Sequence, residues 1–287
     1  MSRTLHQLIE CYRTDPHSNF LKLKYQVRVK HERLLARLSR EHGSDQLQNI
    51  RFRTLTAWYK WWLVGGKVAM GRSLVDRMRE LFRFGATLLE DEECARLFAA
   101  LSKLRLESPS PRSVQMTLEQ ARAICDTARS HFGWYSIALA QALQYELPLS
   151  QKDVIGEWVP VGEPGDSNVV WDNKKWLRGL QWSSIDENLT LRHAVGSSGR
   201  KITVDLRTAP MVLRELDICA ETYDSAMREE LPLGGPVVLC DINAMPWSTA
   251  EFRRKWRLIA KKAGVPDNVN NRDSLRIYDN LRMARRA

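Results

Sequence analysis

Two clusters within the first sixty residues carry the side chains that pair with phosphate. Lys22, Lys24, Arg28 and Lys30 alternate with apolar residues, and Arg51, Arg53 and Lys60 are interleaved with Phe52, Trp58, Tyr59, Trp61 and Trp62. Ammonium and guanidinium groups bond phosphate oxygens, while their long stems lie along a duplex surface. The chemistry on offer is charge pairing with a polyanion; the plainer alternative is a solvated basic helix face. The tryptophans are expected in the core, where aromatic residues at helical spacing usually pack.

The charge of the chain is uneven. Residues 1–113 hold 21 Lys and Arg against 12 Asp and Glu, and residues 114–287 hold 23 against 22, so most of the net charge of +10 lies in the first part. Counterion release drives a basic surface onto nucleic acid. Hydrophobic residues at 44% and charged residues at 27% describe an ordinary soluble protein. No apolar run is long enough to span a membrane, and Glu10 and Arg13 interrupt the stretch a secretory signal would need. The expected location is cytoplasmic. Cys11, Cys94, Cys125, Cys219 and Cys240 form no CxxC pair, and the six histidines show no HxxxH spacing. Free thiols, no metal and no small-molecule cofactor are therefore expected.

Periodicity predicts helices near 3–12, 19–41, 46–63, 68–86 and 91–103, an all-helical module with Lys22, Lys24, Arg28 and Lys30 on its second helix. Residues 108–116, with Pro109 and Pro111, read as a linker. Thr117 with Gln120 then opens a capping box. Helices are predicted near 118–131, 134–146 and 150–157, the last with Ser150 as its N-cap. Alternating runs at 176–182, 189–194 and 201–206 predict a small antiparallel sheet, the last two joined through 196–199 as a hairpin. Helices near 208–228, 248–263 and 272–285 complete the chain. The fold class is mainly α: a helical bundle over 1–107, and an α+β domain over 117–287.

The text LAQALQYELPLSQKDVIGEW at 139–158, followed by LRGLQWSSIDENLTLRHAVGSSGRKITVDL at 177–206, resembles the catalytic domain of tyrosine recombinases of the phage-integrase type. The first module resembles their core-binding domain, a SAM-like bundle that grips DNA. The resemblance covers roughly residues 5–270. It implies double-stranded DNA as partner, with Lys22, Lys24, Arg28, Lys30, Arg51, Arg53 and Lys60 as DNA-binding residues, and nucleoid association when bound.

In such enzymes two arginines, a hairpin lysine and a histidine or its equivalent surround the scissile phosphate. A tyrosine attacks it to form a 3′-phosphotyrosyl link without a cofactor. Fixed cations stabilise the charge that develops on the phosphate oxygens, and the hydroxyl must lie in line with the leaving group. Matched residue by residue, Ser150 occupies the first arginine position, Asp153 the supporting acidic position three residues on, and Lys152 is a neighbouring cation. The hairpin lysine position falls on Ser197, with Arg200 and Lys201 close by. Arg276 is the candidate for the second arginine, with Asp273 in place of the histidine. Tyr278 lies two positions from Arg276, which on a helix separates the side chains by roughly 200° and makes it a poor nucleophile. The nucleophile segment is expected to be missing.

These matches imply a DNA-binding, integrase-like protein defective in strand cleavage, with Arg276 and Lys201 as its remaining catalytic candidates. One alternative is a divergent active recombinase using Lys152, Lys201 and Arg276. The other is a non-catalytic remnant or regulator, whose partners would be further copies of itself or an intact integrase.

Overall fold

The computed structural model describes residues 3–110, 112–196, 199–222 and 231–274, the side chains of 221 and 222 excepted. The chain divides into two compact units, Met1–Arg112 and Ser113–Ala287. Ten α-helices and two antiparallel sheets occur among the described residues.

The first unit is helical: α1 (Leu5–Thr14), α2 (Tyr25–His42), α3 (Phe52–Leu63), α4 (Val68–Leu88) and α5 (Glu92–Ser102). Thr4 caps α1 and Asp91 caps α5, each accepting a backbone N–H three residues on. The other four helices pack on α4, whose Leu74, Val75, Met78, Leu81 and Phe82 are fully buried. α5 approaches α4 closely because Gly85 has no side chain: an added Cβ would lie 2.3 Å from the Cys94 Sγ. Burial raises the Cys94 thiol to about 12, which keeps it protonated.

The second predicted helix starts six residues later than periodicity suggests, at Tyr25 rather than 19. Ser18 is fully buried and its hydroxyl accepts the Phe20 N–H at 3.1 Å, while the Phe20 ring packs into the core beside Tyr12. That local turn competes with helix formation. Lys22 and Lys24 therefore precede α2 instead of riding on it, with Lys24 as its N-cap residue.

In the second unit, α6 (Leu118–Phe132) and α7 (Tyr135–Glu146) form a hairpin, with α8 (Gln151–Ile155) following. α6 begins with the Thr117–Gln120 capping box and ends at Gly133 in the left-handed conformation, φ 65°. Residues 136–144 of α7 are all buried, which makes it the central helix. α9 (Pro210–Thr222) packs on α7, and α10 (Thr249–Lys262) on α6.

The strands form two sheets. β4 (Thr190–Ala194) and β5 (Lys201–Asp205) make the anticipated hairpin, with Ala194 opposite Lys201. β1 (Glu157–Pro160), β2 (Val170–Trp171) and β3 (Lys174–Leu177) make a separate sheet ordered β1-β3-β2, which hydropathy alternation did not indicate. The predicted run at 176–182 contributes only its start to β3; Trp182 belongs to a 3-10 turn. Gly156 and Gly179 close on the Trp176 indole, whose Nε1 donates to the Ile155 carbonyl at 2.8 Å. A Cβ at either glycine would come within 2.2 Å of that ring.

Candidate functional site

In the first unit, the sequence candidates separate by their partners. Arg13, Arg37, Arg79, Arg83 and Arg96 each pair with a carboxylate. Lys22, Lys24, Lys30, Arg53 and Lys60 are exposed and have no carboxylate within ion-pair distance among the described residues. Arg28 is half-buried, lies 5.9 Å over the Tyr25 ring and donates to the Leu23 carbonyl at 3.2 Å. The exposed Arg51 guanidinium bonds the Gln48 carbonyl. Five candidates thus keep their charge available, while Arg28 and Arg51 are partly engaged.

α3 divides its aromatic residues between two faces. Trp58 and Trp62 are buried, Trp58 stacking on His42 at 3.8 Å and the Trp62 Nε1 donating to Glu41 at 2.9 Å. Trp61 is 67% exposed and Phe52 47%, against the expectation of core tryptophans. Helical spacing places Arg53, Lys60 and Trp61 on one outward face, a mixture of cation and flat ring suited to a nucleic-acid surface. His31 adds no charge to this unit: burial, Arg77 and Lys30 hold it down to about 4.

In the second unit, the centre of the site is Ser150. Its N–H and hydroxyl both donate to the Asp153 Oδ2, at 2.9 and 2.6 Å, and its Oγ accepts the Asp153 N–H at 3.4 Å. Ser150 is therefore a helix N-cap. The other Asp153 oxygen accepts the Gly196 N–H at 2.7 Å and lies 3.8 Å from the His193 Nε2. Burial alone would raise the Asp153 carboxyl; the neighbouring His193 imidazole and the hydrogen bonds from Ser150 and the Gly196 backbone outweigh it and hold the group at about 2.

Lys152 is engaged by a buried carboxylate. Its Nζ lies 3.0 Å from Glu157, a carboxylate only 1% exposed that also binds Arg178. Lys201 is exposed at the first position of β5, beside Arg200, whose carbonyl accepts the Val195 N–H at 2.9 Å. The structure gathers Ser150, Asp153, His193 and Gly196, and does not bring Lys201 into hydrogen-bonding contact with them. Ser197, Arg276 and Tyr278 lie outside the described residues.

Asp273 is fully buried and closes a capping box with Asn270 at a 3-10 turn, Asn271–Asp273, accepting the Asn270 N–H at 2.7 Å. Sequence reasoning passed over the amides that hold this turn. Gln144 donates to Asn271 at 2.7 Å and Gln141 to Ser274 at 3.1 Å, and the Gln141 Oε1 accepts the Trp256 Nε1 at 2.8 Å. The legible signal was two glutamines within the largely apolar run 137–144 of that helix.

No protein-family model matches the chain, and no curated protein sequence matches it. Solved structures do. A structure of lambda integrase residues 75–356 bound to DNA aligns with a TM-score of 0.65 at 15% identity, covering 95% of this chain and 84% of that one. A lambda integrase dimer bound to a COC′ core site gives 0.68 at 15% identity, over 96% and 68%. The Tn1549 transposon integrase in complex with circular intermediate DNA gives 0.56 at 12%, over 96% and 85%. At these identities the likeness is one of fold, and the chain shares the fold of these integrases.

Proposed function

We propose that this is an integrase-like protein that binds duplex DNA and does not cleave it. The observation that carries the binding reading is the set of exposed, unpaired cations Lys22, Lys24, Lys30, Arg53 and Lys60, in a fold whose solved neighbours hold DNA. Each such cation that meets a phosphate releases condensed counterions, so binding weakens steeply with salt. Arg28 and Arg51 contribute less, being bonded within the protein.

Ser150 argues against cleavage. Its hydroxyl and N–H are committed to Asp153, and a capping serine supplies no charge to a phosphate. Loss of a phosphate-clamping arginine costs on the order of 10³ to 10⁵ in rate, by analogy with arginine fingers. Lys201 and Arg276 are the remaining catalytic candidates. On DNA the protein is proposed to associate with further copies of itself or with an intact integrase, as lambda integrase forms a dimer on its core site.

A salt titration of duplex binding tests the first half: affinity that does not fall with added salt, or no binding at low salt, overturns it. A nicked suicide substrate tests the second. No covalent adduct is expected; an adduct would establish a divergent active recombinase instead.

A further inference from the structure

A second polar centre lies beside Ser150, and none of the assignments above uses it. A pocket of about 390 Å³ is lined by Gln151, Arg253, Trp256, Arg257, Asn270, Asn271 and Arg272. It holds three guanidinium groups and three carboxamides and has no carboxylate in its wall. Of the acids nearest in sequence, Asp153 bonds Ser150 and Gly196 and Glu251 pairs with Arg254, while Asp273 accepts the backbone N–H of Asn270.

Two donors in this wall are buried without an acceptor among the described residues. Arg257 is fixed by its Nη2, which donates to the Val269 carbonyl at 2.7 Å and the Asn270 Oδ1 at 2.9 Å, and its guanidinium lies 5.2 Å from the Trp256 ring centre. Its Nη1 then has no partner. Arg253 donates through Nε to the Gln151 Oε1 at 3.1 Å, which sets the direction of that amide and leaves the Gln151 Nε2 buried and unpartnered. A buried N–H without an acceptor is costly, and native proteins leave few of them. Here two such donors come from different elements, α8 and α10, and line the same cationic pocket.

We propose that this pocket binds a phosphate group. A tetrahedral oxyanion presents several acceptors, so it can take the Arg257 Nη1 and Gln151 Nε2 donors together with the forked donors of Arg253 and Arg272. Arginine suits this role because its planar fork matches phosphate geometry. The phosphate is either free or part of a DNA backbone; the pocket chemistry is the same for both. The inference stands apart from the DNA-binding reading, since free phosphate can fill the pocket whether or not a duplex binds.

The test is calorimetric titration of the full chain with inorganic phosphate, at ionic strength matched with chloride, for the wild type and two variants. Arg253→Ala removes an exposed side chain that also orients Gln151, and is expected to weaken phosphate about tenfold or more with an unchanged melting temperature in chloride. Arg257→Lys keeps the charge but loses the fork, and is expected to weaken phosphate as well. Equal phosphate binding by the wild type and Arg253→Ala, or no phosphate heat above chloride, overturns the proposal. A duplex titration then identifies the source. A salt slope reduced by about one phosphate in Arg253→Ala assigns a backbone phosphate; an unchanged slope with lost phosphate binding assigns a free or small-molecule phosphate.

Discussion

Asp153 accepts the Gly196 backbone N–H at 2.7 Å, tying the first turn of α8 to the tip side of the β4–β5 hairpin. The same carboxylate takes both donors of Ser150 on its other oxygen. One buried side chain thus holds the first turn of α8 to the loop that joins β4 to β5.

This arrangement gives stability a defined acid limb. The folded Asp153 carboxyl sits at about 2, below its ordinary value of 3.8. A depressed folded value stabilises the protein above the unfolded value, and that contribution is lost as pH falls from about 4 to about 2. Its full size is about 2 kcal/mol. Urea unfolding of Asp153→Asn should show the loss already at pH 7 and a flatter profile below pH 4. Parallel profiles for variant and wild type would remove Asp153 from the acid limb.

Ser150→Ala is expected to cost about 1 kcal/mol, the usual size of a lost N-cap. Ser150→Arg should also lose the cap, and should produce no phosphotyrosyl adduct on a nicked suicide substrate, because a single restored cation does not complete the site. Adduct formation by Ser150→Arg would mean that this position alone separates the protein from an active enzyme.

The close approach of α4 and α5 predicts a steric cost at Gly85. A Cβ there meets the Cys94 Sγ at 2.3 Å and the Leu8 Cδ1 at 3.1 Å. Gly85→Ala should lose about 1–3 kcal/mol by overpacking. Adding Cys94→Ala should recover part of it, since the two sites share one contact. Strict additivity of the two changes in denaturant midpoints would disprove the contact.

Trp61 and Trp62 are neighbours with opposite expected phenotypes. Trp62 is 1% exposed, so Trp62→Ala should cost about 3–5 kcal/mol. Trp61 is 67% exposed, so Trp61→Ala should leave stability within about 0.5 kcal/mol while weakening duplex binding. Melting curves and fluorescence anisotropy separate the two effects. Unchanged anisotropy for Trp61→Ala would take this face out of the DNA interface.

Local rules made much of the architecture legible. The Thr117 capping box, the Ser150 cap and the β4–β5 hairpin each depend on residues a few positions apart, and each forms as the sequence suggests. Where a distant contact decides, the reading falls short. The start of α2 is set by the burial of Ser18 and Phe20, and the β1-β3-β2 sheet by Trp176 closing between Gly156 and Gly179. Neither leaves a periodic trace. The chemical site divides in the same way: Ser150 and Asp153 sit three positions apart and can be paired on paper. The phosphate pocket joins Gln151 to α10 and residues 270–272, across about a hundred residues of chain.

The buried amides of α7 carry an implication for how this protein can change over time. Gln141 and Gln144 meet Ser274, Asn271 and Trp256 in a buried polar network inside an apolar helix environment. Replacing any one member strands the hydrogen-bonding group of another, so single substitutions are penalised even where a joint replacement by apolar residues would be tolerated. Positions 141, 144, 256, 271 and 274 should therefore drift in concert, and covariation among them across natural variants would be the historical signature of how α7 keeps the 270–274 segment in register.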